Sequence, residues 1–318
     1  MDIFSKVMRS DGFERIRGKT RAIVKPSIDD EAARISLRKL AEAEKPVIHG
    51  GGGILLAKAS EELREFVDHM RIPVAHSLMG KGLLRDDRPL VLGMNGFRGT
   101  SLTKNACLEA DCVFPIGTRF KEADCSSWYP GYTFNIGGKD DKTKVIHIDI
   151  EPQEIGRNYP TEIGVVADTK AALRVLTRVA REMYPDGFQR PETVQKIATF
   201  RAGFKESRRE MAISSAFPMM PERILADTRA ALPEDATLTT DVGRNKNGVG
   251  QQFDILTPGS ILTPGGFATM GFGPRRPSGP SSRHPIGWCA PSSVTVVSVG
   301  TRPCSPRRWN WISRSFGW

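Results

Sequence analysis

The chain has 318 residues, 39% of them hydrophobic and 26% charged, a balance that fits a soluble protein long enough for two cored domains. Its net charge of +10 includes seven arginines within residues 274–318, a stretch with no Lys, Asp or Glu, so residues 1–273 carry only about +3. Charge that weak and dispersed argues against a nucleic-acid partner, and the lack of both a charged-then-apolar leader and an apolar run of about 18 residues argues against secretion or a membrane span.

Cys107, Cys112 and Cys125 have no metal-ligand spacing, and Cys289 and Cys304 fall in the Arg-rich tail, so a reducing, cytoplasmic setting is expected. Residues 1–26 are polar, basic and weakly periodic, and read as a linker. From Ser27 the pattern is α/β. "SIDDEAARISLRKLAEAE" opens on a capping residue with acids in its first turn and continues at helical spacing. "KPVIHGGGG" is a short buried strand running into glycines, and "SEELREFVDHMRI" is an amphipathic helix. "PVAHSLMGKG" follows as strand and loop, "NACLEA" as helix, "DCVFPIGTRF" as strand and loop, and "KVIHIDIEP" as strand. "DTKAALRVLTRVAREM" closes the unit as a helix capped by Asp168. This repeating order predicts, for residues 27–185, a Rossmann-like parallel sheet with helices on both faces.

Residues 186–212 read as a connector and a long bridging helix. A second α/β unit begins within 213–273, with "MPERILADTRAAL" as helix, "ATLTTDVG" as strand and "GSILTPGGFATMGFG" as a loop entering a helix. After Gly273 the periodicity stops, so this unit is expected to be truncated.

"HGGGG", "MGKG", "LGMNGFRG" and "IGTRF" fall where strands of a parallel sheet end, the edge at which such sheets bind ligands. Glycines there permit close approach of a phosphate or flavin, or they serve tight turns alone; Arg119 is placed to pair with a diphosphate. No standard dinucleotide fingerprint is present. His49, His76 and His147 read as packed or surface residues at strand ends, and Asp149 and Glu151 have no histidine spaced to complete a metal site. Asp241 stands at a strand end, as a cofactor contact or a loop cap.

Together, "KPVIHGGGG", "MGKGLLRDDRPLVLGMNGFRGT", "IGTRF", "VIHIDIEPQEIGRNYP" and "TPGGFATMGFG" resemble the thiamine-diphosphate-dependent enzymes of the acetolactate synthase large-subunit type, over about residues 1–273. The resemblance implies three α/β domains in sequence: a pyrimidine-binding domain, a central domain that in many members holds FAD, and a diphosphate-binding domain. "MDIFSKV" is similar to the end of the first domain, which is therefore expected to be absent from this chain. By resemblance, FAD would be contacted by Gly51, Gly52, Gly53, Met79, Gly80, Gly96, Arg119, Asp149, Ile150 and Asp168. Gln251 and Gln252 lie where the family places a loop near the thiamine diphosphate, and Met270 matches the apolar residue that props that cofactor in its bent form. Departures from the pattern are Arg98 in place of a common His, Lys121 and Glu122 in place of an acidic pair, and Ala268 in place of a common Gly. The resemblance further implies Mg2+, a small-molecule 2-keto acid as substrate, and a homodimer or tetramer.

After Gly273 the family has an alanine-rich helix, a strand and the metal-binding motif GDG, none of which is written here. Regrouping the codons from the third base of each permits that continuation, "VGDGGFG" included. Trp309, Asn310 and Trp311 force "ELD" in the shifted frame, and Trp288 followed by Cys289 forces a valine. Residues 274–318 are thus expected to be the out-of-frame, disordered product of one lost base, and the chain to be a fragment inactive on its own. A non-catalytic FAD- or nucleotide-binding module and a pseudogene product are the alternatives.

Overall fold

The computed structural model describes residues 24–270 and 272, except 126–127, 139–140 and 142, together with the backbone of 294–297. The expected linker up to residue 23 and the rest of the Arg-rich tail lie outside the described residues.

Six parallel strands form the main sheet: β1 (Pro46–Gly50), β2 (Val74–His76), β3 (Val91–Met94), β4 (Cys112–Ile116), β5 (Lys144–Asp149) and β6 (Ile163–Val166). Their spatial order is β3-β2-β1-β4-β5-β6, the order of a doubly wound dinucleotide fold. The expected Rossmann-like α/β class is therefore what forms, with two more strands than the four repeats read in the sequence. Both additional strands, β3 and β6, are four residues long with a central glycine, too short and too little patterned to show a period.

Period-two alternation explains how both faces are filled. In β4, Cys112, Phe114 and Ile116 face one core while Val113 faces the other. The first core is covered by α1 (Asp30–Glu42), α3 (Ser60–Met70) and α6 (Thr169–Met183), which bury Leu37 and Leu40, Leu63 and Phe66, and Leu173 and Leu176. Between β1 and α3 lies the short α2 (Gly52–Leu56). The second core takes Val47, Ala75, Val113 and Val145 from the sheet, Leu102 and Cys107 from α4 (Ser101–Leu108), and Ile197 from a later helix.

Local chemistry sets the helix ends. α1 is capped by Asp29, not Ser27, its carboxylate accepting from Ala32 N at 2.7 Å, because two acids placed after it complete the first turn. α6 starts at the expected cap, Asp168, which accepts from Ala171 N at 3.1 Å. α3 ends on Arg71 in the left-handed region, φ +55°.

The short α5 (Glu122–Cys125) follows β4. The bridging helix is broken in two, α7 (Pro191–Glu206) and α8 (Arg209–Ala212). Next come α9 (Pro221–Ala231), β7 (Thr237–Thr240), α10 (Arg244–Gln252) and β8 (Ile261–Leu262). β7 lies between β8 and β9 (Val294–Val297) in a second parallel sheet, so within the tail expected to be disordered residues 294–297 instead form a strand, paired in register with β7 from Thr237 to Thr240. Its core among the described residues is small: Leu225, Leu238, Val249, Phe253, Ile255 and Ile261.

The second unit is seated on the first. Asp86 donates its N–H to Ile255 O at 3.0 Å and accepts Ile255 N on its carboxylate at 2.7 Å. That carboxylate also takes Lys81 Nζ at 2.9 Å in an ion pair whose side chains are only 5% and 6% exposed, a burial that the second hydrogen bond helps to satisfy. Arg201 on α7 donates to the carbonyls of Asp86, Asp87 and Val91.

Candidate functional site at the carboxyl edge

The sheet register aligns Gly50 with His76 and Ile116, His76 with Met94, and Ile116 with Ile148, while Asp149 pairs with Val166. The residues after these strand ends therefore leave on one edge. That single fact gathers Gly51, Gly52, Gly53, Met79, Gly80, Gly96, Arg119, Asp149, Ile150 and Asp168, which lie far apart in the chain.

Close approach is real at the glycines, but the approaching group is protein. A Cβ on Gly51 would stand 2.0 Å from Gly117 O, and one on Gly53 would stand 2.7 Å from Gly117 Cα. Gly51 N donates to Ile116 O at 2.9 Å and Gly53 N to Gly117 O at 3.0 Å. The loops after β1 and β4 thus close on each other at the point where the strand order reverses. Gly80 is packed against Gly50 O, Gly96 against Ala123 O and Asp124, and Gly52 against Met79. All five glycines are explained by contacts within the fold.

What the edge offers a ligand is charge and apolar surface. The Arg119 side chain is 61% exposed, and its Nε lies 3.8 Å from Glu154 Oε1, an oxygen that Arg157 Nη1 holds at 3.1 Å. Ile150, Phe97 and Tyr129 are exposed beside it in sequence or on neighbouring loops. The two carboxylates are engaged: Asp149 accepts from Glu151 N at 2.9 Å, and Asp168, besides capping α6, meets Lys25 Nζ at 2.6 Å.

The histidines are core residues. His49 lies parallel to the Phe120 ring at 5.5 Å and edge-on to Phe134, and neither ring nitrogen has a partner. Burial pushes its pKa down to about 3, with His76 and His147 adding repulsion. His76 is pushed down to about 3 by burial and by Lys81, and burial lowers His147. All three are neutral at pH 7.

In the second unit, residues 244–252 form α10 instead of a loop, and Gly250 within it admits Met94, whose Sδ would be 2.7 Å from a Cβ there. The loop that the resemblance placed here is thus a helix, and its glycines serve packing, Gly248 against Leu225 and Gly250 against Met94. Gln251 donates to Arg98 O at 2.6 Å, and Gln252 ends the helix half-buried. Asp241 is buried and accepts from its neighbour Val242 N at 2.7 Å. Ala268 adopts φ +46°, a conformation natural to the glycine common at that place in the resemblance. Met270 is 76% exposed. Met79 joins the halves: a Cβ on Gly52 would be 3.3 Å from its Cβ, and one on Gly265 would be 2.8 Å from its Sδ.

Among the described residues, no three or more His, Cys, Asp or Glu side chains are grouped to hold a metal ion. The close backbone packing at Gly51 and Gly53 leaves no room for a side chain there, and the exposed Arg119 guanidinium at the same edge fits a diphosphate.

Several residues that shape this edge carry no sequence signal. Trp128, Asn158 and Asp86 act through contacts 8 to 169 residues apart in the chain, and Lys81 through its ion pair with Asp86; no spacing rule finds such contacts.

A family model described as thiamine pyrophosphate enzyme, central domain, matches residues 34–176. The probable acetolactate synthase large subunit of Methanocaldococcus jannaschii is 35% identical over 244 residues, 74% of this chain and 38% of that protein. Acetolactate synthase 1, chloroplastic, of Zea mays is 30% identical over 83% of this chain and 38% of its own length. The glyoxylate carboligase of Escherichia coli is 29% identical over 87% and 42%. The chain thus spans about two fifths of the length of these curated relatives.

Proposed function

We propose, from the premise that this chain belongs to the thiamine-diphosphate-dependent enzymes resembling acetolactate synthase large subunits, that it is part of a 2-keto-acid lyase or carboligase. The observation that carries this reading is the continuity of the likeness. It runs through the central domain and on into the second unit, covering 244 aligned residues against 143 for the central-domain match at 34–176.

On this reading residues 27–185 are the central domain, 186–212 the bridge and 213–273 the start of the diphosphate-binding domain, with residues 274–318 translated out of frame. A bound FAD would bring its diphosphate to Arg119, and Met270 would press on the thiamine ring. Thiamine diphosphate would supply the carbanion chemistry for a 2-keto acid, and Mg2+ would hold its diphosphate. Because no GDG motif follows Gly273 in the written sequence, the chain alone is expected not to release CO2 from pyruvate when thiamine diphosphate and Mg2+ are added. Turnover by purified protein of the correct mass contradicts this. Genomic sequence across codons 270–280 tests the frame: an intact frame without the family-like alternative removes the displaced-tail reading.

A second reading, a non-catalytic FAD- or nucleotide-binding module, draws on the two extensive cores that close around the central sheet. Flavin absorbance in the purified protein favours it if turnover is absent.

A further inference from the structure

Three consecutive carbonyls at the carboxyl edge end on side chains from elsewhere in the chain. Thr118 O accepts from His147 Nε2 at 3.1 Å, and Arg119 O accepts from Asn158 Nδ2 at 3.1 Å. Phe120 O accepts from Trp128 Nε1 at 2.6 Å and from Asn158 Nδ2 at 3.3 Å.

The backbone they hold is strained. Phe120 has φ +47°, a region that bulky side chains rarely adopt. Its ring is 2% exposed, packed at 4.9 Å against Tyr159, 5.5 Å against His49 and 5.9 Å against Phe134. Strain of this kind persists where surrounding contacts over-determine it, and it gathers at sites whose geometry matters. Here the turn drives Phe120 into the core beneath the edge and leaves the preceding Arg119 outside, 61% exposed and 3.8 Å from the nearest carboxylate.

We propose that Asn158 and Trp128 are positioning residues that lock the 118–120 backbone so that the Arg119 guanidinium meets a diphosphate group at this edge. The proposal rests on the reading of Arg119 as the anion contact. Diphosphate is the chemistry shared by inorganic pyrophosphate and FAD, so both serve as probes.

The test is calorimetric titration of the full chain with each probe, alongside the melting temperature. Arg119→Met is expected to abolish binding of both. Trp128→Phe removes one of the two donors to Phe120 O, and Asn158→Ala removes the other together with the donor to Arg119 O; each is expected to weaken binding about fivefold at an unchanged melting temperature. Both side chains reach the surface, so these variants are expected to fold where Phe120→Ala would not. Binding of pyrophosphate equal to that of FAD identifies the diphosphate as the recognised group, and binding of FAD alone overturns that assignment. Full affinity in Trp128→Phe and Asn158→Ala, with Arg119→Met inactive in binding, overturns the positioning role and leaves the Arg119 reading standing. Unchanged binding in Arg119→Met, or none in the unaltered chain, overturns both.

Discussion

The central sheet and the sheet around β7 are built on the same parallel plan, yet they reach stability differently. The first has six strands with a hydrophobic core on each face, drawn from α1, α3 and α6 on one side and from α4 and α7 on the other. In the second, the described core is six residues, and β7 itself reads Thr-Leu-Thr-Thr. A parallel sheet needs both faces covered. The second unit gains much of its cover from the first: Ile255 on Asp86 and Gly82, Gly250 on Met94, and Gly265 on Met79. One region is closed on itself, and the other is laid upon it.

That contrast breaks most sharply in core truncations. Phe66 is fully buried against Phe114, and Phe66→Ala is expected to cost about 3–5 kcal/mol and to melt the whole molecule. Phe253→Ala is expected to release only the second unit, seen as early proteolysis beyond about residue 213 while the central sheet survives. A single cooperative loss in both variants would erase the distinction.

The mutual closure of the β1 and β4 loops comes next in size. In Gly51→Ala the new methyl group would meet the Gly117 carbonyl, and about 3 kcal/mol of stability is expected to go, measured by urea unfolding.

Acid sharpens the comparison further, because the described histidines lie in the central unit. His49 and His76 have folded pKa values of about 3, below the 6.5 of an unfolded chain. Between these limits the unfolded state binds protons that the folded state refuses. Stability is therefore complete above about pH 6.5 and falls as pH drops toward 3, by about 1.4 kcal/mol per pH unit for each histidine. His49→Phe is expected to reduce the slope of the urea midpoint between pH 6 and 5, leaving the share of His76 and His147; an unchanged slope contradicts the burial account.

The smallest effect runs the other way. Gly203 lies within α7, and a methyl group added there would meet nothing within 4 Å beyond its chain neighbours and the backbone of its own helix. Gly203→Ala is therefore expected to raise stability by about 0.5–1 kcal/mol, read as a small rise in melting temperature.

How much of this was legible in the sequence follows from the range of each interaction. Local signals worked: the strand Pro46–Gly50, the helix Ser60–Met70 and the Asp168 cap are written in a few adjacent residues. The strands at Val91–Met94 and Ile163–Val166 escaped because each is short and interrupted by glycine, and their pairing is decided by neighbours far away in the chain. α10 escaped because the resemblance placed a loop there, whereas Gly248 and Gly250 pack a helix against Leu225 and Met94. At the site, position was legible and purpose was not. The glycines do fall on one edge, but whether a ligand or another loop occupies the space beside Gly51 depends on Gly117, 66 residues on in the chain. Likewise nothing local announces that Asn158 and Trp128 hold the carbonyls around Arg119.

Amide hydrogen exchange at Gly51, Gly53 and Gly117 tests the central claim most directly, since their N–H groups donate to Ile116 O, Gly117 O and Ile148 O. If the edge is sealed by its own backbone, these amides exchange only as slowly as global unfolding allows, and adding FAD or pyrophosphate changes them no more than it changes overall stability. Rapid exchange in the free protein, suppressed selectively when either ligand is added, would show instead that the loops stand open as a ligand cradle.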